Sequence, residues 1–311
     1  MTAQAQGHPH AEEAGSGKKT SAALLSVAIN LALILTEGAI FLFTGSLSVF
    51  ADAAHSLFDL AASVFAVWGV RMAARPPSRL HPYGHEKFEN VSSLIQVLMI
   101  GIIALVVVGE VAFNLANGYD LHVSMAAVAV LGVTVFVDLG AARYIGSVAE
   151  EHHSYALEAD AYHFTTDLWA KLAALGGLTA ARFGADWVDP IGALTVAAIM
   201  LYIAAKLGLR STGVLLDRAP GGPLEEQVRQ ILAEEAGPDG YHSLRMRQSG
   251  KWVFLDVVVH VPTASTFAEA HQRAHQVSTR LREEIPQVRD AIVHVEPEDH
   301  VQHADGAHYD G

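Results

Sequence analysis

Residues 46–70 read SLSVFADAAHSLFDLAASVFAVWGV, an apolar run interrupted by His55 and Asp59. About 20 helical residues cross a hydrocarbon core, and ionisable groups inside one are functional by default. Further on, HFTTD (His163 to Asp167) repeats the His-x-x-x-Asp spacing in a second, largely apolar stretch. Residues i and i+4 of a helix share a face. His55 and Asp59 therefore point together from one helix, and His163 and Asp167 from another.

A satisfied polar pair between helices accounts for one such motif. Two pairs of matched spacing in separate spans point instead to a common ligand. If the two faces meet, two imidazoles and two carboxylates form a tetrahedral N2O2 set, which suits Zn2+. Facing helices build metal sites in bundle cores in this way. The chain has no cysteine, so disulfides and thiolate metal sites are excluded. Imidazole and carboxylate ligands bind metal deprotonated, so metal entry releases protons and protonation favours release. Histidine titrates close to physiological pH. A mid-membrane site of this kind, opening alternately to either side, exchanges metal for protons. No ATP-binding motif is visible to drive transport otherwise.

The rest of the chain fits a membrane protein with a soluble tail. Only 17% of its residues are charged, against about 25% in ordinary soluble domains. Six apolar windows are long enough to span the lipid bilayer: approximately Ala22–Phe43, Leu47–Val70, Val91–Leu115, Val123–Ile145, Tyr155–Arg182 and Trp187–Leu209. The fifth is the weakest, because it holds Glu158, Asp160, His163, Asp167 and Lys171. Lys18, Lys19, Arg71, Arg75, Arg79, Lys87, Arg143, Lys206, Arg210 and Arg218 fall on one set of connections, and the alternate set has only Arg182. This positive-inside pattern implies six spans with both termini cytoplasmic. The net charge of −13 argues against nucleic acid as a partner and suits divalent cations.

The expected organisation is a disordered tail over 1–19 and a six-helix transmembrane domain over 20–212. A soluble α+β domain over 213–298, in the order α-β-β-α-β, and a disordered His-containing tail over 299–311 follow. Asn30, Glu37, Asp52, Glu110, Asp138 and Asp160 are further polar residues within the spans, able to cap, bridge helices or line a water path. Lys171, one turn beyond Asp167, is a cation on a cation pathway and is expected to pair with Glu37 or Asp138. His81 and His85, in the loop after the second span, could share a metal or stand as solvated side chains. In the soluble domain His242, Asp256, His260, His271, His294 and Glu296 are candidate ligands for one or two metal ions. His8, His10, His300, His303 and His308 lie in the tails.

SLSVFADAAHSLFD, EADAYHFTTD, HPYGHEKFE, VLLDRA, RMRQSG and VHVEPE together resemble the cation diffusion facilitator family over most of the chain. The resemblance implies a homodimeric exporter of the bacterial cytoplasmic membrane, driven by proton antiport. Its cytoplasmic domains would have a ferredoxin-like fold and be held together by bound metal. His55, Asp59, His163 and Asp167 match the family's transport site, and the His-Asp/His-Asp set goes with zinc and often cadmium. Lys87 and Asp217 match a family salt bridge between the membrane and cytoplasmic parts. His242, His271 and His294 match ligand positions in the tail, and Glu296 stands where aspartate is common. Val258 stands where some members have histidine, with Asp256 or His260 as substitutes. The loop lacks the aspartate that completes the family's loop site. The expected activity is transport of Zn2+, with Cd2+, and not an enzymatic reaction. The alternatives are transport of Fe2+, Mn2+, Co2+ or Ni2+, an intramembrane zinc hydrolase, or a membrane-anchored metal sensor.

Overall fold

A computed structural model of the protein describes residues 9–44, 47–117, 125–181, 183, 185 and 187–298. The side chains of Glu37, Asp52 and His55 lie outside the described residues, as do His8, the His10 side chain, His300, His303 and His308. The chain divides into two compact units, Met1–Thr212 and Gly213–Gly311.

Among the described residues the N-terminal unit has six helices: α1 (Pro9–Thr44), α2 (Leu47–Ala73), α3 (Lys87–Asn117), α4 (Met125–His152), α5 (Tyr155–Ala181) and α6 (Val188–Leu215). Five of them, all but α5, are long and apolar enough to cross a membrane. The polar residues of α5 are accommodated by enclosure. Tyr155, Ala156, Leu157, Ala159, Asp160, His163, Phe164, Thr166 and Asp167 are all buried, so this helix meets protein where its neighbours expose leucine and phenylalanine.

One expectation is corrected at the N-terminus. Residues 9–19, read from sequence as disordered, continue α1. Two ion pairs tie the last two of these residues to the bundle. Lys19 Nζ lies 2.5 Å from Glu89 on α3, which also accepts a 2.6 Å hydrogen bond from Ser154. Lys18 pairs with Glu151 at 2.9 Å.

Helices α2 and α3 approach closely because residue 69 has no side chain. A Cβ on Gly69 would fall 2.4 Å from Ser92 Cβ, and Ser92 Oγ donates to the Phe65 carbonyl at 2.6 Å. This contact holds the C-terminal half of α2, the helix that carries Asp59.

The C-terminal unit contains α7 (Gly222–Ala236), β1 (Tyr241–Ser249), β2 (Trp252–Val261), α8 (Phe267–Glu284) and β3 (Val288–Pro297). The sheet order is β1-β2-β3, with β1 antiparallel and β3 parallel to β2. Strict alternation along β2 buries Val253, Leu255, Val257, Val259 and Val261. The first four of these form the core with Val228, Ile231 and Leu232 of α7 and Val277 and Leu281 of α8. The other sheet face carries Phe254, Asp256, Val258 and His260. A capping box starts α8: Thr266 accepts from the Glu269 N–H, and the Thr266 backbone N–H donates to the Glu269 carboxylate at 2.7 Å. That bond holds the Glu269 carboxyl below its ordinary range.

Gly69→Ala is expected to destabilise the membrane unit by about 1–3 kcal/mol through overpacking against Ser92. The check is the thermal midpoint of the purified protein in detergent. An unchanged midpoint would mean that α2 and α3 part without loss.

Candidate metal centre

Asp59 on α2 and His163 and Asp167 on α5 converge inside the bundle, each offering one ligand atom within 4.8 Å of the others. Their exposures are 5%, 1% and 8%, so the group is closed to bulk water. His163 Nε2 lies 2.9 Å from Asp59 Oδ1 and 3.6 Å from Asp167 Oδ2. Neither ring nitrogen of His163 makes an aligned hydrogen bond among the described residues. A nitrogen 2.9 Å from a carboxylate oxygen, yet not aiming a proton at it, suits donors directed at a common point between them. His55 lies one turn before Asp59 on α2, with its side chain outside the described residues.

A buried polar network fixes the α2 side of this group. Asn30 Nδ2 donates to Ser63 Oγ at 2.7 Å and to the Asp59 carbonyl at 3.3 Å. Ser63 Oγ lies 2.5 Å from Ser26 Oγ, and both hydroxyls donate to Asp160 Oδ1, at 3.3 and 3.0 Å. Asn30 and Asp160 thus bridge helices, the role the sequence favours among those open to them, while Ser26 and Ser63 do not stand out in the sequence. Their spacing carried a signal, since Ser26 is one turn before Asn30 and Ser63 one turn after Asp59. Lys171 pairs with Asp138 at 2.5 Å, one of the two partners expected for it.

The loop histidines come together. The His81 and His85 rings lie 4.5 Å apart, and His85 is buried against Phe88 with its Nδ1 unpartnered among the described residues. No third His, Asp or Glu joins them among the described residues.

In the C-terminal unit a second group forms on the outer sheet face from His242, His260 and Glu296. The register explains it: His242 pairs with Val258 on β2, and His260 pairs with Glu296 on β3. A bulge between His242 and Arg245, with Ser243 at φ 53°, turns His242 to the face that also carries Arg245. His242 Nε2 lies 3.6 Å from one Glu296 oxygen, and His294 Nε2 lies 3.4 Å from the other. His260 Nε2 is buried without a hydrogen-bond partner among the described residues, as a nitrogen kept for a metal would be. Of the two substitutes considered for the Val258 position, His260 is in the group. Asp256 lies 3.5 Å from Arg245 and outside it. His271 is carried by α8, on the opposite side of the sheet, where its ring lies 4.8 Å from that of His275.

The chain belongs to the cation diffusion facilitator, or cation efflux, family. The family's transmembrane domain matches residues 23–216 and its cytoplasmic domain residues 220–298. Among similar proteins, the cation-efflux pump FieF of Pectobacterium atrosepticum is 30% identical over 278 residues, covering 89% of this chain and 92% of FieF. Metal tolerance protein C1 of Arabidopsis thaliana is 30% identical over 268 residues, covering 81% of this chain and 57% of that protein. A solved structure of CzrB is 30% identical over 25% of this chain and 98% of its own, with a TM-score of 0.23.

Glu296→Ala is expected to weaken Zn2+ binding by the full-length protein at its tail site by about tenfold or more, on the scale of a lost ligand or its orienting partner. Asp256→Ala should leave it within about twofold. Titration with a fluorescent zinc chelator reads both, and a larger loss in the Asp256 variant would reverse the ligand assignment.

Proposed function

We propose that the chain is a divalent-cation/proton antiporter that exports Zn2+, and with it Cd2+, from the cytoplasm. The observation that carries this is the buried convergence of Asp59, His163 and Asp167 on two helices of a membrane bundle. His55, by its spacing, completes a tetrahedral N2O2 set with them. Proton coupling follows from the ligands themselves, because each is occupied either by a proton or by the metal. Imidazole nitrogen favours Zn2+ over the harder Mn2+. A hydrolase would need an open coordination position and a separate general acid or base, and four protein ligands leave no opening. Both termini are assigned to the cytoplasm from the positive-inside pattern, and the bacterial FieF relatives support a cytoplasmic-membrane location.

In the tail, His242, His260 and Glu296 hold a structural Zn2+, and His294 shares the Glu296 carboxylate. The functional unit is a homodimer. Ile292, 57% exposed on the same sheet face as this site, offers an apolar surface for a second copy. The salt bridge that the family resemblance implies for Lys87 and Asp217 is kept as part of this proposal.

Proteoliposome flux across Zn2+, Cd2+, Fe2+, Mn2+, Co2+ and Ni2+ tests the transport assignment. The wild-type chain should move Zn2+ and Cd2+ against a counterflow of protons, Asp167→Ala should abolish it, and His55→Asp should broaden the range toward Fe2+. Metal binding without flux would sink the antiporter, and unchanged selectivity in His55→Asp would remove His55 as the discriminator. Lys87→Ala or Asp217→Ala alone should shift detergent-solubilised protein toward monomer, because each leaves its partner unpaired. The exchange Lys87→Asp with Asp217→Lys should restore the dimer, and mass measurement that finds every variant dimeric would discard the bridge.

A further inference from the structure

The C-terminal part of α4, the first turns of α5 and the C-terminal part of α6 enclose a cavity of about 480 Å3. The positive-inside pattern assigns this end of the bundle to the cytoplasm. Small side chains keep the space open: Ala142, Gly146 and Ala149 line it from α4 and Ala161 from α5. Glu158, Ala161, Tyr162 and Thr165 share one face of α5, and Asp160, His163 and Asp167 occupy the opposite face. The cavity therefore backs onto the helix that carries the metal centre and is separate from that centre. Its rim is charged. Arg210 holds both oxygens of Glu158 through Nη1 alone, at 2.9 and 2.8 Å, and its guanidinium lies 4.7 Å over the Tyr155 ring. Its Nη2 and Nε make no hydrogen bond among the described residues, so the group is fixed in place with donors to spare. Glu150 and His153 also line the rim, and the Glu150 carboxylate has no ion pair or hydrogen bond among the described residues.

We propose that this cavity binds one phospholipid whose headgroup carries both a phosphate and a primary ammonium, phosphatidylethanolamine. The phosphate takes the donors of Arg210 that Glu158 leaves over, a pairing that the guanidinium fork favours. The ammonium donates to the Glu150 carboxylate. The glycerol and the first acyl carbons lie along the alanine and glycine wall. This rim discriminates between lipids by its chemistry. A choline headgroup carries the same two charges but has no N–H to donate. A glycerol headgroup brings the phosphate charge with no cation, and pockets that hold anionic lipids are basic, whereas two carboxylates stand at this rim. A lipid seated here braces α5 from behind the metal centre.

The test is native mass spectrometry of the full-length protein in detergent, with thermal midpoints as the check on folding. The protein is titrated with phosphatidylethanolamine, phosphatidylcholine and phosphatidylglycerol of identical acyl chains. One ethanolamine lipid should bind about fivefold or more tightly than either of the others, the scale of one charge-assisted hydrogen bond. Glu150→Gln should cut the advantage over the choline lipid to within about twofold, because a neutral acceptor holds an ammonium less strongly. Glu150→Lys should turn the preference toward the glycerol lipid. Ala142→Leu fills the cavity while leaving the rim charges in place, and should remove the tight site. Equal binding of the three lipids by the wild type would overturn the proposal without any variant. A preference that survives Glu150→Gln, or a tight site that survives Ala142→Leu, would overturn it too, since the lipid would then sit elsewhere.

Discussion

Four aspartates, Asp59, Asp138, Asp160 and Asp167, are buried in one helical bundle, and each needs a partner that water would otherwise supply. Asp160 is met by the hydroxyls of Ser26 and Ser63, and Asp138 by the ammonium of Lys171. Asp59 and Asp167 stand on either side of His163. The arrangement sorts the anions: two are met by side chains of neighbouring helices, and two flank one imidazole. Much else in the unit follows. The polar helix α5 is enclosed by its neighbours, α2 is drawn against α3 at Gly69, and Asn30 reaches across from α1 to grip the backbone at Asp59.

The centre was legible in sequence wherever its logic is local. A four-residue spacing on a helix states which side chains share a face, so the His-x-x-x-Asp pairs stand out before any fold is known, whereas the partner of Lys171 on α4 stays a choice between Glu37 and Asp138 until the fold is seen. The weakness of the fifth apolar window was equally visible, and its cause is the run of ionisable residues from Glu158 to Lys171. Interactions between distant segments were less accessible. Lys18 and Lys19 meet Glu151 and Glu89, far away in the chain, while the local composition of residues 9–19 reads as disordered. The polar network was missed because serine inside a span looks unremarkable until its partner on the next helix is known.

The tail site shows a different limit. Periodicity in β2 and β3 correctly divides inward valines from outward polar groups, and places Asp256, Val258 and His260 on one face. It cannot say which of these meets ligands from β1, because that depends on an irregularity in the strand. Arg245, arriving opposite Asp256, takes that carboxylate for itself, and the histidines gather at the other end of the face.

That irregularity separates the tail's chemistry from its ligands. The extra residue between His242 and Arg245 changes the parity of β1, so the two halves of the strand count their faces from different starting points. Loss of a single residue there would turn His242 toward the core while leaving His242, His260 and Glu296 all in the sequence. A comparison of chains that scores only residue identities would overlook the loss of this cluster.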